Sequence, residues 1–166
     1  MRGEVSVRLR RPRPGDLGWV VYRHGAVYGR EYGWGEDFEA LVARIVAGYL
    51  AKHDPLRERG WMAEVDGRIS GFVFLMKETR TVARLRLFLV EPEARGLGIG
   101  SRLIKACLRF ARSAGYRKIT LSTEKSLAAA RHIYRKHGFH LVLSRPETAF
   151  GRGLGLTEEI WNLDLK

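Results

Sequence analysis

From Trp61 to Val90 the chain reads with the period of strands and no longer that of helices, and the run ends in a turn crowded with glycine. WMAEV (61–65), an Asp66-Gly67 turn and RISGFVFLMK (68–77) read as a β-hairpin. After Glu78-Thr79-Arg80, TVARLRLFLV (81–90) adds a third strand, stopped by Glu91-Pro92. Arg95-Gly96-Leu97-Gly98-Ile99-Gly100 then opens a helix over 98–114. In that helix Leu103, Ile104, Cys107, Leu108 and Ala111 share one face, and Gly115 supplies the stop. A meander that hands the chain to a helix through glycines needs a reason for the bare backbone, because glycine there lowers stability. The reason is either a tight turn or a ligand that approaches the main chain.

The flanks complete the element order. EVSVRLR (4–10) alternates Val5, Val7 and Leu9 and reads as a first strand. Asp16 is placed to cap a helix carrying Leu17, Val20, Val21, His24 and Val27 on one face. YGREYGWGED (28–37) reads as a loop dense in aromatic and acidic residues. A second helix over roughly 37–52 carries Phe38, Leu41, Val42, Ile45, Val46 and Tyr49, and His53-Asp54-Pro55 ends it. Downstream come a strand at KITLS (118–122) and a helix at LAAARHIYRKH (127–137). Strands at LVL (141–143) and EEIWNLDL (158–165) follow, joined by a Gly-rich loop. The order β-α-α-β-β-β-α-β-α-β-β describes one α/β (α+β) domain over residues 4–166, built on a mixed sheet.

The first four N–H groups of a helix beginning near Gly98 lack partners within the helix, and the helix dipole adds positive potential. Such an end receives anions. Glycines at 96, 98 and 100 remove side chains that would hold a phosphate away, Ser101 offers a hydroxyl and Arg95 a cation. The stretch is not a P-loop, since Ser101-Arg102 stands where Lys-Ser or Lys-Thr is needed. It is not a dinucleotide fingerprint either, because it follows a meander and no acid ends the strand near Lys118 to Thr123.

A net charge of +12 favours anionic partners such as phosphorylated cofactors. The lone Cys107 excludes an intrachain disulfide and falls in an apolar pattern, so it reads as an inert buried thiol. His132 and His137 do not share a helical face, and no metal spacing appears. No apolar run approaches membrane-spanning length, which implies a cytoplasmic protein and no membrane partner. No reading helix, aromatic RNA-binding motif or basic tail is evident, which argues against nucleic acid as a partner.

Arg95-Gly96-Leu97-Gly98-Ile99-Gly100 resembles the Arg/Gln-x-x-Gly-x-Gly/Ala signature of the GNAT N-acetyltransferase superfamily. EVDGRISGFVFL resembles that family's second and third strands, and IYRKHGF (133–139) its late Tyr-x-x-x-Gly-Phe element. GDLGWVVYRHGAVYGREYGW and AARHIYRKHGF are similar to the acetyltransferase half of bacterial proteins that fuse a MarR-type DNA-binding module to a GNAT domain. The sequence before Glu4 leaves no room for that module, so the expectation is the catalytic half alone. The resemblance implies the GNAT fold, a central mixed, mostly antiparallel sheet of about seven strands flanked by about four helices.

It also implies acetyl-CoA as co-substrate, no metal, and direct acetyl transfer to a primary amine of a small molecule, peptide or protein. A homodimer remains open. By the same resemblance the amides of Leu97, Gly98, Ile99, Gly100 and Ser101, with Arg95, Gly96 and Arg102 nearby, would hold the pyrophosphate. Phe88, Leu89 and Val90 would pair their main chain with the pantetheine arm. The N–H of Leu89 or Val90 would hold the developing oxyanion. Tyr134 would be the general acid, although Leu127 stands seven residues earlier where many members have Asn. Glu31, Glu36 and Glu78 are candidates for the base, with water as another. Tyr28, Tyr32 and Trp34 fall where the family builds its acceptor pocket, or they pack on one another. Arg84 and Arg86 alternate with Leu85, Leu87 and Leu89 on a covered strand, and arginine there needs an anion. Either an acid of the first two helices pairs with them or they reach a carboxylate of the acceptor. The alternatives to an enzyme are a CoA-binding module without turnover and a basic nucleic-acid or protein-binding module on the same fold.

Overall fold

The computed structural model describes residues 5–166. Glu4, assigned above to the first strand and to the start of the domain, lies outside them. In chain order the elements are β1 (Val7–Arg10), α1 (Asp16–Tyr32), α2 (Glu36–Lys52), β2 (Arg59–Val65), β3 (Arg68–Lys77) and β4 (Val82–Val90). There follow a 3-10 turn (Pro92–Ala94), α3 (Ile99–Ser113), β5 (Lys118–Glu124), α4 (Ala128–Lys136), β6 (His140–Pro146) and β7 (Thr157–Asp164). The seven strands form one sheet in the order β1-β2-β3-β4-β5-β7-β6. Only the β4–β5 pair is parallel. This is the expected mixed, mostly antiparallel sheet of seven strands, with the expected order of strands and helices. The β2–β3 turn is the one read from Asp66-Gly67, both with positive φ (50° and 77°) as a type I′ turn demands.

Strand alternation divides the core between the two faces of the sheet. Met62, Phe72, Phe74 and Met76 point toward α1 and α2, where Val20, Val27, Phe38, Val42 and Val46 meet them. Ala63, Val73, Leu75, Ile119 and Leu121 point toward α3, against Leu103, Ile104, Cys107 and Ala111. Leu103 and Ile104 are fully buried, and each such side chain contributes roughly 1.5–3 kcal/mol. Cys107 lies among them, and burial pushes its thiol pKa far up, which keeps it protonated and inert.

Two local expectations change. Asp16 is not the cap of α1. Gly15 holds that position, and the Asp16 carboxylate in the first turn accepts the Arg13 N–H at 2.7 Å and the Arg10 guanidinium at 2.7 Å. The first helix also runs to Tyr32, five residues past its last buried position at Val27, because Gly29 does not interrupt the hydrogen-bond ladder. The stop is Gly33, left-handed at φ 69°, whose N–H caps the Gly29 carbonyl at 3.1 Å. Tyr28, Glu31 and Tyr32 therefore stand on a rigid helix and not in a loop.

Candidate active site

The sheet opens in its middle. β4 and β5 pair only from Val82 with Lys118 to Arg84 with Thr120, whereas β5 pairs with β7 along its whole length. Beyond Arg84 the two strands diverge into a wedge. A bulge in β4 accompanies the divergence: Arg86 faces Phe74 and Leu89 faces Phe72, so Leu87 and Phe88 together oppose Val73. Leu87 takes φ 57°, a left-handed conformation unusual for a branched side chain.

The bulge breaks the alternation read from the sequence. Ala83 and Leu85 pack on the α3 side, but Leu87 and Leu89 pack on the α1–α2 side, with Phe88 and Val90 now turned to α3. Leu87 and Leu89 therefore share the face of Arg84 and Arg86, contrary to expectation. The main chain changes with it. The Glu91 N–H donates to the Ser70 carbonyl at 2.9 Å, and the Leu89 carbonyl lies against Gly71. By the alternation of an antiparallel ladder, the polar groups of Leu89 face β3 and those of Phe88 and Val90 face the wedge. Leu89 is thus corrected as an oxyanion donor: its N–H is directed into the sheet.

The glycine turn lies at the mouth of the wedge. Gly98 is the N-cap of α3 at φ 77°, and no side chain caps the helix. Among the described residues, no hydrogen bond within the chain uses the N–H groups of Leu97, Gly98, Ile99, Gly100 or Ser101, the first helical bond at this end being from the Arg102 N–H to the Gly98 carbonyl. A Cβ built on Gly96 or Gly98 meets nothing within 4 Å, so the space beside the turn is free for a ligand. Gly100 differs, because a Cβ there would stand 2.7 Å from Ile133 Cδ1 and 3.3 Å from Phe88 Cζ. It serves packing between α3, β4 and α4. These features fit a diphosphate, and a cavity of about 360 Å³ runs from the turn along Phe88, Leu89 and Val90.

Arg95 lines that cavity and pairs with Glu31 at 2.9 Å, an ion pair that raises the arginine's pKa. Glu31 is thereby engaged at the glycine turn and is not a free base. Glu36 lies exposed in the first turn of α2, outside the lining of either cavity, and Glu78 is paired with Arg84. Arg102 donates to the Val7 carbonyl at 3.0 Å, which ties α3 to β1 and takes its head from the turn. Sequence reading missed two polar groups: Lys136 Nζ and His137 Nε2 lie 3.4 and 3.1 Å from the Ser101 Oγ. They come from the far end of α4, a proximity no local pattern announces.

A second cavity, of about 370 Å³, continues from the first and shares Tyr28, Phe88, Leu127 and Ala130 with it. It is lined from both faces of the sheet, by Leu85 and Tyr134 on one side and by His24, Trp34 and Phe38 on the other, because the wedge joins them. Tyr28 stacks on Trp34 with centroids 5.0 Å apart, and Phe150 closes the group 4.8 Å from Trp34. Asp37 holds that roof, accepting the Gly151 N–H at 2.7 Å. Tyr28 and Trp34 thus line this cavity, whereas Tyr32 lines the one at the glycine turn.

Tyr134 lines the second cavity next to Phe88, one of the residues that both cavities share. It is buried against Phe88, Phe139 and Trp161, and its hydroxyl has no hydrogen-bond partner among the described residues. Burial raises its pKa well above the ordinary phenol value, so the proton stays on the oxygen. His24 is buried too. Its Nδ1 donates to the Val20 carbonyl at 2.8 Å, and burial lowers its pKa to about 4, which leaves the ring neutral.

Comparison with known proteins agrees with this geometry. Residues 15–139 match the acetyltransferase (GNAT) family model. The 5-NmdU N-acetyltransferase of Pseudomonas phage PaMx11 is 34% identical over 104 residues, 61% of this chain and 70% of that protein. The spermidine N(1)-acetyltransferase of Escherichia coli K12 is 29% identical over 136 residues, 81% of this chain and 73% of that one. Among solved structures, yncA of Salmonella typhimurium with its cofactor acetyl-CoA superposes with a TM-score of 0.73. It is 19% identical and covers 96% of this chain and 94% of its own. No helix among the described residues is long and apolar enough to cross a membrane.

Proposed function

Because the chain belongs to the acetyltransferase (GNAT) family, a family of acyltransferases, we propose that it moves an acetyl group from acetyl-CoA directly to a primary amine. The observation that carries this reading is the continuity of the two cavities at Phe88. One cavity opens on unpaired helix-end amides, the other on an aromatic enclosure, and a protonated phenol lines the second beside Phe88. The reading treats the chain as one cytoplasmic N-acetyltransferase domain like that of the MarR-fused proteins. A primary amine agrees with the acceptor named for the spermidine enzyme.

Bound acetyl-CoA supplies an acetyl group activated as a thioester. The N–H groups from Leu97 to Ser101 hold its diphosphate at the positive end of α3, with Lys136 and His137 adding polar groups beside Ser101. The outward main chain of Phe88 and Val90 replaces the missing strand contacts by pairing with the pantetheine arm. One of these N–H groups donates to the thioester carbonyl oxygen, where negative charge develops. Tyr28 and Trp34 wall the acceptor, whose nitrogen must arrive unprotonated. The carboxylates expected as bases are engaged or outside the cavity, so the amine's proton leaves to water in the acceptor cavity. As the new C–N bond forms and the C–S bond breaks, Tyr134 gives its phenolic proton to the departing sulfur.

Thiol release from acetyl-CoA over a panel of primary amines, combined with calorimetric titration of CoA, tests the reading. Tyr134→Phe is expected to lower kcat about 100-fold or more while the acetyl-CoA Kd stays within about twofold. An unchanged kcat removes Tyr134 from the acid role. No heat with CoA or acetyl-CoA overturns the function.

A further inference from the structure

The acceptor cavity carries cations on its floor. Arg84, Arg86 and Arg145 all line it, and the structure treats them differently. Arg84 is held bidentately by Glu78, with Nε 2.8 Å and Nη2 3.0 Å from the two carboxylate oxygens, and Nη1 lies 3.3 Å from the Ser122 hydroxyl. Arg145 pairs with Glu158 at 2.6 Å. Arg86 has neither a hydrogen bond nor an ion pair with any described residue, although it is half-buried at the centre of the sheet. Burial lowers its pKa and the neighbouring Arg84 cation adds to the effect, while Glu78, whose two oxygens are taken by Arg84, offsets them only in part.

The other carboxylates nearby do not supply its anion. Glu124 is held by the N–H groups of Ser126 and Thr157, at 2.8 and 3.0 Å. Glu147 accepts the Ala149 N–H at 2.9 Å and lies within ion-pair distance of no described cation. The anion that Arg86 lacks must therefore come from what enters the cavity. Its position beside the bulge indicates where. Arg86 and Leu87 share the α1–α2 face, and Arg86 precedes the wedge-facing Phe88 by two positions, about 7 Å of strand at most.

We propose that the acceptor is an amine that also bears a carboxylate, of the size of an α-amino acid or short ω-amino acid, and that Arg86 binds that carboxylate. The proposal rests on the acetyltransferase reading above and narrows its acceptor. A planar guanidinium takes a carboxylate bidentately, which orients the molecule as well as holding it. With the carboxylate on Arg86, the short spacer leaves the amine at the bulge, next to the main-chain donors of the wedge. A polyamine would place a second cation against an arginine that already lacks an anion.

The test uses the full chain, acetyl-CoA, the standard L-amino acids, β-alanine, the matching carboxamides and spermidine, with thiol release followed and products identified by mass. At least one free acid should exceed its carboxamide by tenfold or more in kcat/KM. Arg86→Gln should raise the KM for that acid at least tenfold with kcat within a few-fold, and shrink the acid-to-amide ratio accordingly. Arg86→Lys, which retains the charge without the fork, should restore part of the KM, and it serves also if the Gln variant melts early. Equal or better use of carboxamides or spermidine overturns the proposal, as does an Arg86→Gln enzyme with unchanged KM. Acetyl-CoA binding without turnover of any free acid overturns the acceptor class alone. Failure to bind acetyl-CoA overturns the acetyltransferase reading itself.

Discussion

Gly96, Gly98 and Gly100 are equivalent as letters and different as atoms. Gly98 is needed for its backbone: φ 77° is a conformation that side chains resist by about 1–2 kcal/mol, and the space beyond its missing Cβ is empty. Gly100 has ordinary helical backbone and is needed because Ile133 and Phe88 occupy the room a methyl group would take. Gly98 therefore meets the need of a tight turn and leaves open space beside it, whereas Gly100 meets a third need, close packing between elements. A carboxylate introduced as Gly98→Asp would project into the open space assigned to the diphosphate. The expected result is a Kd for acetyl-CoA raised tenfold or more, with a melting temperature lowered only by the backbone strain. Calorimetric titration and thermal melts read the two effects separately, and unaltered affinity would show that the diphosphate binds elsewhere.

Among the elements, β4 decides the site. Its bulge turns Phe88 and Val90 toward the wedge and leaves Leu89 hydrogen-bonded to β3, which makes a prediction for single amides. In the free protein the N–H groups of Phe88 and Val90 should exchange with deuterium quickly and that of Leu89 slowly. Adding CoA should protect the first two by tenfold or more and change Leu89 little. The opposite pattern would restore Leu89 as the donor and shift the bulge by one residue. The strand itself was legible from period-two alternation, as were its hairpin partner and the helix after the glycines. The bulge was not, because Leu87, Phe88, Leu89 and Val90 are all apolar and suit either face, so the extra residue is visible only against β3. The wedge was hidden for a similar reason: it depends on how far β5 runs beside β4, a pairing between segments separated by α3. The Glu31–Arg95 pair joins residues 64 positions apart and had no local sign either. Tyr134, the buried residue of α4, was singled out by the resemblance and not by the apolar pattern of its helix.

At the scale of the molecule the sheet comprises two paired halves, β1 to β4 and β5 with β7 and β6, bridged by a short parallel stretch and by helices on both faces. The α1–α2 face is fastened to it through an aromatic seam that contains the imidazole of His24. His24 lies 5.5 Å from Phe72 of the sheet, 6.1 Å from Phe38 of α2 and 5.8 Å from Tyr28 of its own helix, centroid to centroid. Its pKa falls from 6.5 to about 4 on folding. Between those values the unfolded chain holds a proton that the folded chain refuses, so stability is complete above pH 6.5 and declines as pH falls toward 4. The slope follows from proton linkage, and the loss amounts to about 3 kcal/mol. The whole protein, already at +12, gains further positive charge over the same interval, and its general self-repulsion must be separated from this single site. His24→Phe supplies the separation: it keeps the seam aromatic and removes the proton site, while the Val20 carbonyl lies within the α1 hydrogen-bond ladder. Urea unfolding at pH 7 and pH 4 should show the wild type losing about 3 kcal/mol more than the variant. Parallel losses in the two proteins would mean that His24 is not what couples this interface to pH, and that the charge of the molecule as a whole is.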